Sequence, residues 1–169
     1  MKNIVLTGFM ASGKTTVGMR LSQKLNYKYF DTDAIIEENE KKSINEIFGV
    51  FGEEYFRKLE NEVSNSFSKI SDAVISTGGG FVLNPENIDN LRENSVVFNL
   101  NVSRSILLKR YDSAKPTRPL MDSVEAFLER YEKRKEFYKN CDISVDIDED
   151  KTPDEICDII IEKYNEFIG

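Results

Sequence analysis

Residues Gly8–Thr15 read GFMASGKT and match the pattern G-x-x-x-x-G-K-[ST] at every fixed position. They follow the apolar, β-branched run Asn3–Thr7 and precede a segment in which Val17, Leu21 and Leu25 recur at helical spacing. Glycines in such a loop let successive backbone N–H groups surround phosphate oxygens, and the helix N-terminus adds about half a positive charge. The motif and its context predict a strand–loop–helix unit that binds the phosphates of a nucleoside triphosphate.

Strands and helices alternate along the rest of the chain. Further strands are predicted at Tyr27–Phe30, Ala73–Ser76, Ser95–Leu100 and Ile143–Ile147. Helix starts are predicted at the capping sequences that begin at Ser43, Asn84, Ser103 and Thr152, and helices are also expected over about 53–70 and 124–139. This alternation predicts an α/β fold with a five-stranded parallel sheet flanked by helices on both faces.

Length and charge limit the class of protein. A chain of 169 residues, 40% hydrophobic and 31% charged, is expected to form one globular domain over residues 1–169. The net charge of −7 argues against a nucleic-acid or anionic-membrane partner. No apolar stretch approaches the roughly 20 residues that span a bilayer. We therefore expect a cytoplasmic protein that binds any anionic ligand through a few local Lys and Arg residues.

The residues that are missing also narrow the chemistry. The chain has no His, which excludes an imidazole general base and a Ser-His-Asp triad. Its two cysteines, Cys141 and Cys157, are too few for a disulfide framework and are expected to be reduced thiols.

Asp31 and Asp33 are the best candidates for carboxylates near the phosphates. They end the second predicted strand, whereas the third ends in Ser76–Gly80 without an acid. Carboxyl ends of parallel strands open on the ligand crevice of such a sheet. Asp31 could hold a metal-bound water and Asp33 could accept a hydrogen bond from an incoming hydroxyl, although D-x-D after a strand is also a common helix N-cap. Lys14 would reach the β- and γ-phosphates, and the Thr15 hydroxyl would bind Mg²⁺.

Six spaced segments resemble one family. From residue 3 to about 153, the chain resembles shikimate kinases in segments that occur in this order: GFMASGKTTVG, FDTD, FGEEYFRKLE, STGGGFVL, PTRPL and RKEFY. The resemblance implies a compact, usually monomeric P-loop NTPase of the nucleoside monophosphate kinase-like type, a three-layer sandwich. It also implies a substrate-binding region at about 33–60 and a lid at about 112–121. The implied activity is transfer of the γ-phosphoryl group of ATP to the 3-hydroxyl of shikimate, with Mg²⁺, on the route to chorismate and the aromatic amino acids.

The resemblance also assigns site residues. Nucleotide contacts are implied for Ala11, Ser12, Gly13, Lys14, Thr15, Thr16, Arg110, Arg118, Lys151 and Pro153, and metal contacts for Thr15 and Asp31. Shikimate contacts are implied for Asp33, Arg57, Gly78, Gly79, Gly80 and Arg134, with the two arginines on the carboxylate. Lys14, Asp33 and Arg118 would carry the catalysis. One departure is Glu136, which stands where the family often has proline.

The expected mechanism is direct in-line phosphoryl transfer, since the chain has no His or Cys nucleophile positioned for a covalent intermediate. Three alternatives share the phosphate loop. Another small-metabolite kinase, such as a gluconate kinase, would not need Arg57, Gly79 and Arg134 together, and an adenylate kinase would need a longer lid and more arginines. A non-catalytic nucleotide-binding module would have no reason to keep Asp33 and Arg118.

Overall fold

The computed structural model describes residues 2–114 and 123–169, with side chains described through residue 111 and from residue 123. The strands are β1 (Asn3–Thr7), β2 (Lys28–Asp31), β3 (Ala73–Ser76), β4 (Ser95–Val102) and β5 (Ile143–Ile147). The helices are α1 (Lys14–Leu25), α2 (Thr32–Glu40), α3 (Ile44–Ser66), α4 (Pro85–Arg92), α5 (Arg104–Ala114), α6 (Val124–Arg134) and α7 (Pro153–Ile168). The predicted strand–helix alternation is confirmed.

The five strands form one parallel sheet in the order β2-β3-β1-β4-β5. At the centre, Val5 of β1 lies opposite Ile75 of β3 and Val97 of β4. Ile4, Val5 and Leu6 are consecutive and all fully buried. Because successive strand residues face opposite sides of a sheet, helices must cover both faces. The chain therefore has the three-layer α/β architecture expected from its sequence.

Local sequence signals set several helix starts. Ser43 and Glu46 form a reciprocal capping box at the start of α3, and Thr152 and Glu155 form a second one at the start of α7. Asn84 caps α4, whose first residue is a proline. These side chains satisfy backbone N–H groups that lack a partner inside the helix. All three predicted starts are confirmed.

Some element bounds differ from the prediction. The helix expected at about 53–70 is part of α3, which runs from Ile44 to Ser66 through a kink at Gly52 (φ 80°, ψ 175°). Few residues other than glycine adopt that backbone conformation, so the kink depends on Gly52. The helix expected at 124–139 ends at Arg134 and is followed by a short 3₁₀ turn at Phe137–Lys139. The helix expected to end near Tyr111 continues to Ala114.

The topology places the polar loops together. The carboxyl ends of β1, β2 and β3 lead into the phosphate loop, the Asp31–Asp33 segment and the Gly78–Gly80 turn, which we call the glycine turn. These strands are neighbours in the sheet, so the three segments meet at one edge, where α/β proteins bind ligands. In the ranges described, no helix has the length and apolar character needed to cross a membrane.

Candidate active site

A cavity of about 970 Å³ opens at this edge of the sheet. Sixteen residues that the sequence assigned to the site line it: Ala11, Ser12, Gly13, Lys14, Thr15, Thr16, Asp31, Asp33, Arg57, Gly78, Gly79, Gly80, Arg110, Arg134, Lys151 and Pro153. The remaining assigned residue, Arg118, and most of the predicted lid lie outside the described residues. The fold thus brings together side chains from positions up to 142 residues apart in sequence, Ala11 and Pro153.

The phosphate loop has the backbone geometry that its glycines allow. Gly8 and Gly13 have φ values of 148° and 94°, and Ala11 also has a positive φ of 64°. A Cβ atom on Gly8 would lie 2.8 Å from the Ser12 hydroxyl oxygen and 3.0 Å from the Leu100 carbonyl oxygen. Glycine is therefore required at position 8 for conformation and for space.

Two cationic side chains, Lys14 and Arg110, donate hydrogen bonds to backbone carbonyls of the phosphate loop. Lys14 Nζ donates hydrogen bonds to the carbonyl oxygens of Gly8 (2.7 Å) and Phe9 (3.0 Å). Arg110, on α5, donates from Nη1 to the carbonyl oxygens of Ala11 (3.2 Å) and Ser12 (3.1 Å). Positive charge is therefore concentrated where the motif predicts phosphates to bind.

Asp31 is the N-cap of α2. Its Oδ1 atom accepts hydrogen bonds from the backbone N–H groups of Asp33 (3.0 Å) and Ala34 (3.2 Å). Its Oδ2 atom lies 3.5 Å from the Tyr29 hydroxyl. Asp31 also lines the cavity, so the cap interpretation and the cavity interpretation of the D-x-D segment both hold.

Asp33 is a half-buried residue in the cavity wall. Its Oδ1 atom is buried and has no hydrogen-bond partner among the described residues. Burial, followed by the charge of Asp31, raises the pKa of Asp33 to about 6, while the charges of Lys14 and Arg57 lower it. A carboxylate oxygen in this setting is suited to accept a proton from a ligand hydroxyl near neutral pH.

The glycine turn provides the space that two of these side chains occupy. A Cβ atom on Gly78 would lie 2.5 Å from Asp33 Oδ1. A Cβ atom on Gly80 would lie 2.6 Å from Arg57 Nη1 and 2.7 Å from its Nη2. Asp33 and Arg57 therefore pack directly on the backbone of the turn, and side chains at positions 78 and 80 would displace them.

Arg57 is fixed by two glutamates on its own helix. Its Nη1 donates to Glu60 Oε2 (2.7 Å), and its Nη2 donates to Glu53 Oε1 (2.8 Å). Glu60 is only 1% exposed, and burial raises its pKa to about 7, although the charge of Arg57 lowers it. Neither glutamate was identified from the sequence. Their spacing of three and four residues from Arg57 on one helix was the available signal.

Arg134 is the last residue of α6 and lines the cavity. Burial lowers its pKa, and the charges of Arg57 and Arg130 add to this effect. Burial raises the pKa of the Tyr138 hydroxyl, and the charge of Arg134 lowers it. The same hydroxyl donates a hydrogen bond to the Gly79 carbonyl oxygen. The bond between Tyr138 and Gly79 was not predicted from the sequence, although the RKEFY segment has the tyrosine four residues after Arg134.

Glu136 does not pair with Arg134. Its Oε2 atom accepts a hydrogen bond from Lys139 Nζ (2.7 Å), and both side chains are exposed. The departure from the family pattern therefore adds no negative charge to the cavity at this position.

Further lining residues were not assigned from the sequence. Arg130 lies one turn before Arg134 on the same helix and has its Nη1 atom 3.8 Å from the Met10 sulfur. Ile44, Phe48 and Phe56 of α3 form an apolar wall. A cavity with cationic groups, one unpartnered carboxylate oxygen and an apolar wall can bind two anionic ligands and position a hydroxyl of one of them.

Comparison with known proteins identifies the family. The family model described as shikimate kinase matches residues 10–165. The chain is 42% identical to a shikimate kinase of Caldanaerobacter subterraneus subsp. tengcongensis, over 100% of this chain and 99% of that protein. It is 46% identical to a shikimate kinase of Caldicellulosiruptor saccharolyticus, over 88% and 87% of the two chains.

A solved structure gives the same result. The structure of shikimate kinase from Acinetobacter baumannii in complex with shikimate superposes with a TM-score of 0.88 at 26% identity, covering 98% of this chain and 94% of that one. Sequence and structure comparisons thus agree over nearly the full length. Together with a phosphate loop, an acidic segment and two arginines around one cavity, they establish that this chain belongs to the shikimate kinase family.

Proposed function

We propose that this chain transfers the γ-phosphoryl group of ATP to the 3-hydroxyl of shikimate, forming shikimate 3-phosphate and ADP for the synthesis of chorismate and the aromatic amino acids. The observation that carries the proposal is the buried Oδ1 atom of Asp33, which has no hydrogen-bond partner among the described residues. The charges of Lys14 and Arg57 both lower the pKa of this carboxyl group, which burial raises. The same carboxylate is therefore close to the phosphate loop and to an arginine of the acceptor region.

ATP would bind at the phosphate loop with Mg²⁺. Lys14 would exchange its bonds to the loop carbonyls for bonds to the β- and γ-phosphates. The Thr15 hydroxyl and the Asp31 carboxylate would hold Mg²⁺, directly or through water, and oxygen donors of this kind suit the ion. The bound ion would offset negative charge on the phosphates. Arg110, Lys151 and Pro153 line the same cavity and would contact the nucleotide beyond the phosphates.

Shikimate would bind with its carboxylate between Arg57 and Arg134. A planar guanidinium can meet both oxygens of a carboxylate, and two such groups fix the orientation of a rigid ring. The backbone of Gly79 would lie against the ring, beside Gly78 and Gly80. This arrangement would bring the 3-hydroxyl to Asp33.

The reaction would be a single in-line displacement. The acceptor oxygen forms its bond to the γ-phosphorus as the bond to the β–γ bridging oxygen breaks, and ADP leaves with that electron pair. The hydroxyl proton passes to Asp33 late in the step. Lys14, and Arg118 of the proposed lid, would stabilise charge on the transferring group, and lid closure would exclude water.

The direct test is an ADP-release assay with shikimate, gluconate and AMP offered separately. We expect turnover with shikimate alone, and phosphorus NMR should show a new phosphate monoester. Shikimate methyl ester should be a very poor substrate, because it lacks the anion that Arg57 and Arg134 would bind. Turnover with gluconate or AMP and none with shikimate would refute the proposal, and comparable use of the ester would refute the two-arginine clamp.

We further propose that the enzyme acts as a monomer in the cytoplasm, where ATP is available. All described residues assigned to the site come from one chain and line one cavity, which supports a site that needs no second copy. Light scattering during turnover would test whether the active enzyme is a monomer. A specific activity that falls on dilution would contradict a monomeric enzyme.

A further inference from the structure

The two arginines of the acceptor region are held in different ways. Arg57 has two carboxylate partners, Glu53 and Glu60. No carboxylate of the described residues lies within salt-bridge distance of Arg134, and the charge of Arg134 instead lowers the pKa of the Tyr138 hydroxyl, which burial raises. A long arginine side chain has many rotamers, so the group that orients Arg134 affects how well it can meet a ligand carboxylate.

Tyr138 is placed to orient other groups besides Arg134. Its side chain is 4% exposed, and its ring packs edge-on against Phe9 of the phosphate loop with 6.4 Å between centroids. Its hydroxyl donates a hydrogen bond to the Gly79 carbonyl oxygen. A tyrosine hydroxyl has one proton and two lone pairs, so it can donate to Gly79 and accept from Arg134 at the same time.

We propose that Tyr138 is a positioning residue for the acceptor, and that its hydroxyl, which is bonded to the carbonyl of Gly79, bridges this carbonyl to the Arg134 guanidinium. The bridge fixes the cation that would bind the acceptor carboxylate relative to the backbone that would lie against the acceptor ring. This inference rests on the proposed function, since shikimate is the acceptor that it positions. Tyr138 does not itself touch the reacting atoms, and it acts through Arg134 and Gly79.

The chain supplies a matched control for the loss of a buried tyrosine hydroxyl. Tyr164, on α7, is 2% exposed and donates a hydrogen bond to the Lys2 carbonyl oxygen (2.6 Å). It does not line the cavity. Tyr164→Phe and Tyr138→Phe therefore each remove one buried hydroxyl that bonds to a backbone carbonyl, and both keep the ring. A difference between the two variants must come from what surrounds each hydroxyl.

The test measures shikimate KM, ATP KM and thermal midpoint for both variants. We expect Tyr138→Phe to raise the shikimate KM five- to twentyfold and to change the ATP KM less than twofold. Tyr164→Phe should leave both constants within twofold of the parent, with a comparable fall in thermal midpoint. A shikimate KM within twofold of the parent in Tyr138→Phe, or an equal rise in both KM values, would overturn the positioning role.

A double-mutant cycle tests whether Tyr138 acts through Arg134. Arg134→Lys alone should raise the shikimate KM, and adding Tyr138→Phe to it should raise the KM by less than twofold more. Full multiplication of the two effects would overturn the bridge to Arg134. If the parent enzyme does not phosphorylate shikimate, the proposed function fails and this role fails with it. An active parent with an unchanged Tyr138→Phe variant refutes the role of Tyr138 alone.

Discussion

Glu60 should make the stability of this protein depend on pH in a direction unusual for an ion-paired glutamate. Its side chain is almost completely buried beneath Arg57, and only one carboxylate oxygen has a hydrogen-bond partner among the described residues. Burial raises its pKa from 4.5 to about 7, which exceeds the lowering effect of Arg57. The substitution Glu60→Gln keeps the size and an oxygen that can accept from Arg57, and it removes the titration.

The sign follows from the protons bound in each state. Between about pH 4.5 and 7, folded Glu60 keeps a proton that the unfolded chain has released, so the free energy of unfolding must fall as pH rises. One proton of difference corresponds to about 1.4 kcal/mol per pH unit, and the window of about 2.5 units therefore gives at most about 3.4 kcal/mol. The contribution of Glu60 is fully present below pH 4.5 and is lost above pH 7.

Urea denaturation at pH 5, 6, 7 and 8 measures this effect when wild type and variant are compared at each pH. The free energy of unfolding of Glu60→Gln minus that of wild type should rise by about 1.5–3 kcal/mol from pH 5 to pH 8. Glu53→Gln is the control, because it removes the exposed carboxylate on the other side of Arg57, where an ion pair contributes less than about 1 kcal/mol. A difference that is constant with pH, or that falls as pH rises, would refute the reasoning.

Three further substitutions test the catalytic assignment. Lys14→Met should lower turnover at least about a hundredfold in the ADP-release assay, because it removes the buried positive charge that would stabilise the transferring phosphoryl group. Activity within tenfold of the parent would contradict this role of Lys14. Gly80→Ala places a carbon 2.6 Å from a guanidinium nitrogen and should raise the shikimate KM about tenfold or more. Gly49→Ala, which meets nothing within 4 Å, is its control and should have no such effect. Asp33→Asn should lower turnover about a hundredfold or more while calorimetry finds ATP affinity within about twofold of the parent, and lost ATP binding with retained shikimate binding would assign it to the nucleotide instead.

Much of the fold and site follows from short-range rules in the sequence. The phosphate loop, the glycine turn and the capping box at Ser43 depend on residues a few positions apart, and the structure has each where the sequence predicts it. The family assignment is also confirmed. The roles of individual side chains in binding and catalysis remain predictions, and so does the lid with Arg118.

The surroundings of Glu60 and Tyr138 could not be predicted from the sequence, because they depend on tertiary contacts. Glu60 lies on the same helical face as Phe56 and Val63, so the sequence shows an acidic residue on an apolar stripe. Only the structure shows that this carboxylate is buried and paired with Arg57. Tyr138 is one of seven tyrosines, and its bond to Gly79 joins residues 59 positions apart. Helical spacing also could not show that Gly52 bends α3.

The bonds of Lys14 within the phosphate loop bear on the thermodynamics of nucleotide entry. The ammonium group of Lys14 donates hydrogen bonds to the carbonyl oxygens of Gly8 and Phe9 in this loop. If a nucleotide binds as proposed, its phosphates would replace these polar contacts with others, and the phosphate loop would keep its backbone conformation. Nucleotide entry would then cost little backbone entropy at the phosphate loop.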